Sequence, residues 1–207
     1  MIRLGPTNWY KNVLVGTAGA ALLATSALAE GPTDAESGTY TADAGHAYIS
    51  FSYSHQGYSN PILRWGEWDA SLDWNAEKPE TSSVTAEINA ASIDSGVDRF
   101  DDHLKSPDFF EVEKYPTISF KSTEIEKTGD DTGVMKGVLT IKGEEKPVTL
   151  DVTFNKAGEN RSGDGYKIGF SARGNVSRTE LGVGKYAPFV GDDVDLVIEV
   201  EFDKPKA

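Results

Sequence analysis

The three histidines and the acidic residues beside them are the side chains best suited to metal binding or acid–base catalysis in this sequence. His46 and His55 lie nine residues apart in an alternating segment, and this odd separation directs them to opposite faces of a strand. His103 follows Asp101 and Asp102, a combination that could form a metal site or a general base. The same residues form the charged side of an amphipathic helix, and a solvated helix face is the interpretation we favour. We therefore predict no metal site, no catalytic residue and no cofactor.

The sequence also lacks the patterns of the common catalytic classes. It contains no cysteine, which excludes thiol nucleophiles and disulfides. No H-E-x-x-H, G-x-S-x-G, P-loop or EF-hand pattern occurs. The formal net charge of −13 would repel nucleic acids and anionic membrane surfaces. The prediction is a protein that is not an enzyme and does not bind nucleic acid.

The first residues have the pattern of an export signal. Arg3 and Lys11 precede the short apolar run 13–24, and small residues follow at Ala27 and Ala29. This arrangement is typical of a secretory signal peptide over residues 1–29, with cleavage after Ala29. Because a membrane-spanning helix needs roughly 20 apolar residues, no stable membrane insertion is expected.

Alternation of apolar and polar residues dominates the rest of the chain and predicts about eight strands, most of them apolar on one face. One-sided strands joined by short Gly/Asp/Asn turns favour an antiparallel meander around a common interior. Closure into a barrel is favoured over a two-sheet sandwich, because hairpin-length turns link most neighbours. Between residues 117 and 126 the alternation changes phase, which predicts a β-bulge. We expect one all-β domain over residues 39–204, preceded by a flexible leader at residues 30–38.

One segment, residues 98–120, breaks the alternation. Val97, Phe100 and Leu104 have the spacing of one helix face, and Ser106-Pro107 ends the pattern. The segment predicts a short helical insertion between strands 3 and 4 of an eight-stranded antiparallel barrel. Phe109 and Phe110 follow the helix and should point inward as an aromatic plug, so that the insertion acts as wall and lid.

Three of the four tryptophans, Trp65, Trp68 and Trp74, cluster around one predicted strand. Aromatic residues on the inner face of a strand usually pack in a core. In a small barrel that mixes alanine, glycine and large aromatic residues, they can instead line a cavity for an apolar chain. Composition does not decide between these two interpretations.

Several segments closely resemble the YceI-like proteins of the bacterial periplasm. They are "YTADAGHAYISFSYSH", "ASIDSG", "DDHLKSPDFFEVEKYPTISFKST", "GVLTIKGEEKPVTLDV" and "GDDVDLVIEVEF". The resemblance extends from about Tyr40 to Phe202, and "DDHLKSPDFFEVEKYP" is its most specific part. The segment "SNPILRWGEW" departs from the Gly-Arg-Phe type of sequence usual in that family, which leaves the length of the ligand open.

The resemblance implies a periplasmic protein with a lipocalin-like barrel and a long hydrophobic pocket. Its ligand would be a polyisoprenoid, an isoprenoid quinone or a fatty-acid-like amphiphile, bound by a carrier rather than transformed by an enzyme. A homodimer is compatible with the pattern but is not required by it. The implied pocket residues are Ile49, Phe51, Tyr53, Trp68, Leu72, Val84, Ile88, Phe100, Leu104, Phe109, Phe110, Phe120, Leu150, Phe154, Ile168, Phe170, Leu196 and Ile198.

Two other functions stay open on the sequence. A lipid-acting isomerase or cyclase would need a polar side chain that points into the barrel, and Tyr53, His55 and Arg99 are the residues considered. A fully packed barrel would instead be a stress-related structural or interaction protein. An open or a filled interior separates the carrier from the packed barrel.

Overall fold

The computed structural model describes residues 35–206. The predicted signal peptide and the first five residues of the predicted leader lie outside the described residues. Within residues 35–206, no helix has the length and apolar character needed to cross a membrane. The strands are β1 Gly38–His55, β2 Ile62–Trp65, β3 Trp68–Trp74, β4 Ser83–Asn89, β5 Ile93–Asp94, β6 Thr117–Lys127, β7 Thr132–Ile141, β8 Glu144–Glu159, β9 Gly165–Ser177 and β10 Val190–Pro205, and the helix is α1 Asp98–Lys105.

Eight strands form a closed antiparallel barrel, which confirms the predicted fold class. The barrel order is β1, β3, β4, β6, β7, β8, β9, β10, and β10 pairs back to β1. Closure is direct: Phe51 of β1 lies opposite Leu196 of β10, and Ile49 lies opposite Ile198. Because alternate side chains point to opposite faces of a strand, the apolar set of each strand faces the interior.

Two short strands, β2 and β5, were not predicted. The 18-residue strand β1 is longer than β3, which pairs only with residues 38–41. Beyond that point β2 pairs with residues 49–52 of β1, and β5 adds to the outer edge of β2. Residues 66–67 interrupt the run between β2 and β3, and there the Gly66 N–H donates to the Ser92 carbonyl at 2.9 Å.

The predicted phase change in β6 is confirmed. The register of β6 against β7 shifts between Ser122 and Glu124. The Ser122 hydroxyl is buried and accepts a hydrogen bond from the Val84 N–H at 2.8 Å, so the side chain replaces a ladder partner. After this bulge the inward face passes from even to odd positions, from Phe120 to Ile125.

The two ends of the barrel differ. At one end, which we call the helix end, lie α1, residues 106–115 and the long loop 178–189 between β9 and β10. At the other, the hairpin end, lie the turn Pro79–Thr81 and the β6–β7 hairpin. As expected, the insertion that contains α1 joins the third and fourth barrel strands.

The last residues of the predicted leader are packed rather than free. Ala35 is buried, and the Tyr40 hydroxyl donates to the Glu36 carbonyl at 2.7 Å. The Ser37 hydroxyl accepts a hydrogen bond from the Ala76 N–H at 2.9 Å. Residues 35–38 are therefore held against the hairpin end, because their polar groups find partners in neighbouring elements.

Candidate functional site

A cavity of about 280 Å³ lies inside the barrel. Its wall is almost wholly apolar and is made by side chains from the barrel strands, with additions from β2, the insertion and the loop 178–189. Packed protein interiors contain few voids larger than a water molecule. The interior is therefore open, which argues against the fully packed barrel.

Thirteen of the eighteen pocket residues implied by the resemblance line this cavity. They come from β1, β3, β4, β6, β8, β9 and β10 and from the insertion, and all lie on inward faces. They are Ile49, Phe51, Trp68, Leu72, Val84, Ile88, Phe110, Phe120, Leu150, Phe154, Phe170, Leu196 and Ile198.

The other five pack in solid parts of the structure instead. Ile168 is fully buried in a cluster with Tyr40 and Phe202, which fills the interior beside the hairpin end. A second cluster fills the helix end. There the apolar face of the helix packs against the end of the barrel and does not enter the lumen. That cluster holds the remaining four, Tyr53, Phe100, Leu104 and Phe109.

Trp65 and Trp74 were left out of the predicted pocket, and both line the cavity beside Trp68. The Trp65 ring contacts Phe110 edge-on, with ring centroids 5.1 Å apart, and lies 5.8 Å from the Phe51 ring. The tryptophan cluster is thus cavity wall as well as core. Trp74 shares the inward face of β3 with Trp68, so the alternation alone could have assigned it.

Two inward-facing glycines, Gly137 and Gly174, allow the large side chains of the adjacent strands to pack directly over their backbone. A Cβ atom at Gly137 would lie 2.4 Å from ring atoms of Phe120, and one at Gly174 would lie 2.5 Å from Cδ2 of Leu150. Both distances are far below van der Waals contact, so only glycine allows these side chains to lie flat across the adjacent strand. This packing sets the width of the cavity in its middle section.

The cavity is closed at the helix end and opens at the hairpin end. Phe110, Leu181 and Val183, all buried, form the closed end. Within the described part of the chain, the solvent-exposed lining residues all lie at the hairpin end, and they are Glu80, Glu126, Lys127, Asp130, Asp131 and Thr132. The insertion was predicted to be a wall and a lid. It supplies one wall residue, Phe110, and it seals the blind end rather than covering the mouth.

The family model described as the YceI-like domain matches residues 40–202. The chain belongs to the YceI-like family. A UPF0312 protein of Azotobacter vinelandii is 36% identical over 156 residues, which cover 75% of this chain and 81% of that protein.

Solved structures show the same fold. The crystal structure of Burkholderia cenocepacia BcnA is similar with a TM-score of 0.70 at 24% identity, over 77% of this chain and 98% of that one. A polyisoprenoid binding domain from Saccharophagus degradans, implicated in plant cell wall breakdown, is similar with a TM-score of 0.61 at 9% identity, over 82% of this chain and 100% of that one.

Arg178 is the one buried charged side chain on the wall of this YceI-like cavity, among the residues that the structure describes. Its guanidinium donates to four backbone carbonyls, those of Val183, Lys185, Val190 and Gly191, at 2.9–3.3 Å. Burial lowers the pKa of Arg178, and the nearby Asp192 opposes this shift. Arg178 is not identifiable from the sequence pattern, because it lies in a loop, where no alternation marks an inward face.

The three polar residues considered for an enzyme do not reach the cavity wall as the structure describes it. His55 and Arg99 are exposed. Tyr53 is half-buried against the cluster at the helix end, and burial raises the pKa of its hydroxyl.

His103 lies against the Phe109 ring, with its Nε2 atom 3.3 Å from the Asp108 carboxylate. Its predicted solvated position is therefore wrong in part, because one side of the imidazole packs on an aromatic ring.

In the described part of the chain, one group of metal-ligating side chains comes together, and it lies outside the cavity. Ligand atoms of Asp43, His46 and Glu201 are within 4.8 Å of one another. The Lys167 ammonium donates to the Asp43 and Glu201 carboxylates at 2.7 Å each and lies 3.3 Å from Asp203. Burial alone would lower the pKa of Lys167. The hydrogen bonds and negative charges of these carboxylates have the larger combined effect and raise that pKa. The lysine thus occupies the position where a cation would neutralise the group.

Lys167→Met is expected to destabilise the fold by about 2 kcal/mol at pH 7, because it leaves half-buried carboxylates without their donor. Hydrogen bonds from Lys167, then from His46 and the Gly45 N–H, hold the pKa of Asp43 well below its ordinary value of 3.8. A depressed pKa stabilises the fold above the ordinary value, and this contribution is lost as the pH falls through the folded-state pKa. The difference between variant and native protein should therefore shrink below about pH 3.8.

Urea unfolding at pH 7 and pH 3 measures this difference. Lys167→Arg is the matched control, since it keeps the positive charge, and should lose much less stability. An equal loss for Lys167→Met at both pH values would show that the lysine stabilises by packing and not through the carboxylates.

Proposed function

We propose that this protein is a periplasmic carrier that sequesters a long apolar molecule inside its barrel. The ligand would be a polyisoprenoid, an isoprenoid quinone or a fatty-acid-like amphiphile. The observation that carries the proposal is the apolar cavity of about 280 Å³, which residues 35–206 leave open at one end only. The polyisoprenoid binding domain of Saccharophagus degradans, which has the same fold, supports this class of ligand.

Transfer from water is the source of affinity in this proposal. Each buried methylene contributes about 0.8 kcal/mol, so a chain of several isoprene units gains enough without many polar contacts. Ordering of the chain and loss of its mobility offset part of this gain. A cavity narrowed by Phe120 and Leu150 fits an extended chain better than a fused ring system.

The proposed location rests on the predicted signal peptide over residues 1–29 and on family membership. Export would deliver the protein to a compartment between two membranes, where apolar molecules need a soluble carrier. The surface of the protein suits that environment, because its negative charge keeps it from adhering to anionic lipid headgroups.

The test is to express the full chain in a Gram-negative host and to purify it from the periplasm without detergent. Mass spectrometry of the intact protein and of an organic extract follows. We expect a protein that begins at Glu30 and carries about one isoprenoid, quinone or fatty-acid-like molecule. An empty extract from protein that also takes up no added lipid would contradict the carrier function, and recovery only from the cytoplasm would contradict the location.

A further inference from the structure

The polar features of the cavity lie at its two ends and have opposite charge. Arg178 lies at the blind end, 9% exposed, among Leu181 and Val183. Among residues 35–206, the exposed residues of the mouth include four carboxylates, those of Glu80, Glu126, Asp130 and Asp131, beside a single lysine, Lys127. Between the two ends the wall is apolar, so an elongated amphiphile meets very different surroundings in its two orientations.

The Arg178 guanidinium retains hydrogen-bonding capacity. An arginine side chain has five N–H donors, and four hydrogen bonds from Arg178 to carbonyls are present within residues 35–206. No ion pair joins Arg178 to a carboxylate within 4.0 Å in this part of the chain, since Asp192 acts on it from farther away. An acceptor oxygen at the blind end would gain a charge-assisted hydrogen bond there, and this is stronger than one between neutral groups.

We propose that Arg178 is a head-group site at the blind end, and that it selects ligands whose polar end carries a hydrogen-bond-accepting oxygen, such as a ketone, quinone or carboxylate. This proposal rests on the carrier function above and specifies its ligand class. The oxygen-bearing end enters first and reaches Arg178, while the apolar tail extends towards the mouth. The acidic mouth reinforces this orientation, because carboxylates offer no donor to an acceptor oxygen and repel an anionic one.

The four hydrogen bonds from Arg178 to backbone carbonyls also give it a structural role, because they hold the loop 178–189 across the blind end. The test must therefore separate head-group recognition from general loosening of the fold. A ratio of two affinities measured on the same variant does so, because loosening changes both affinities alike.

Three ligands of equal chain length serve as probes: tridecane, 2-tridecanone and tridecylamine. Each is delivered from a cyclodextrin complex to delipidated protein, and binding is followed by the fluorescence of the cavity tryptophans. The native protein should bind the ketone about tenfold or more tightly than the alkane, the range for a hydrogen bond from a charged donor. It should bind the cationic amine more weakly than the alkane.

In Arg178→Met the ratio of ketone to alkane affinity should fall to about one, although loosening of the loop 178–189 lowers both affinities alike. Arg173→Met is the matched control: it removes an exposed arginine, paired with Glu199 on the outer face, and should keep the native ratio. A measurement on the native protein alone guards against misfolding of the variant. The carbonyl stretch of bound, ¹³C-labelled 2-tridecanone should shift to lower frequency than in hydrocarbon solvent.

Each contrary outcome has a distinct meaning. Tight binding of tridecane with a native ratio near one, or an unshifted carbonyl stretch, would overturn the head-group site and leave the carrier function standing. Failure of all three probes to bind would overturn the carrier function itself. A ketone preference that persists in Arg178→Met would also overturn the assignment, and would point to the hairpin side of the cavity, where Nε1 of Trp74 is buried without an acceptor among residues 35–206.

Discussion

Leu72→Arg and Phe170→Asp should each abolish retention of long-chain lipid. Both side chains line the cavity, and the Phe170 ring contacts Trp74, Phe154 and Phe202 edge-on. An ionised group in this wall has no partner, and burying it beside a hydrocarbon chain costs several kcal/mol. A loss of that size lowers lipid affinity by at least a hundredfold. Retention is measured as moles of extracted lipid per mole of protein purified without detergent.

The matched controls carry the same new charges on the outer face. Thr85→Arg and Thr153→Asp alter exposed residues of β4 and β8 that alternate with lining residues, and they should retain lipid as the native protein does. His103→Ala should also retain it, because this imidazole lies outside the cavity. Thermal unfolding shows whether each variant is folded before its lipid content is compared.

A neutral substitution tests the same prediction without placing a charge in the cavity wall. Ala86 lines the cavity opposite Ala70 and Phe120, so Ala86→Phe fills part of the lumen with apolar atoms. It should lower lipid retention without loss of stability. Full retention by both charged variants and by Ala86→Phe would place the ligand outside the barrel.

The strands with one polar and one apolar face were predictable to the level of single residues. In β3, Trp68 and Leu72 alternate with polar residues, and both point into the cavity as the pattern indicates. In β7, by contrast, "GVMKGVLTIKG" is apolar on both faces, and the sequence alone could not show that Met135, Leu139 and Ile141 line the lumen. The interior face of such a strand is set by its neighbours, through register.

The position of a side chain along the barrel axis was harder to predict than whether it points inward or outward. Ile168 and Phe170 share the inward face of β9, yet Phe170 lines the cavity while Ile168 is packed against Tyr40. Alternation identifies the face of a strand. The buried cluster of Tyr40, Ile168 and Phe202, which fills one side of the hairpin end, comes from residues distant in sequence. The same limit applies to Arg178, whose role depends on the path of the loop 178–189 and on no local pattern.

Phe110→Ala is expected to lengthen the cavity and to shift its preference towards longer chains. Phe110, 8% exposed, closes the blind end against Trp65. Loss of a buried phenylalanine ring should destabilise the fold by about 3–5 kcal/mol and leave a void in line with the lumen. In a series of unbranched alkanes, affinity should rise about fourfold for each methylene until the chain meets the blind end. In the variant this rise should continue for several more carbon atoms.

Phe109→Ala is the matched control for this experiment. Phe109 is the adjacent residue and is as deeply buried, but it packs in the cluster at the helix end and does not line the cavity. Its removal should cost similar stability and leave the chain-length limit unchanged. If both variants moved the limit equally, destabilisation of the helix end would explain the change. If neither moved it, the chain would end short of Phe110, and the blind end would not set the length of the ligand.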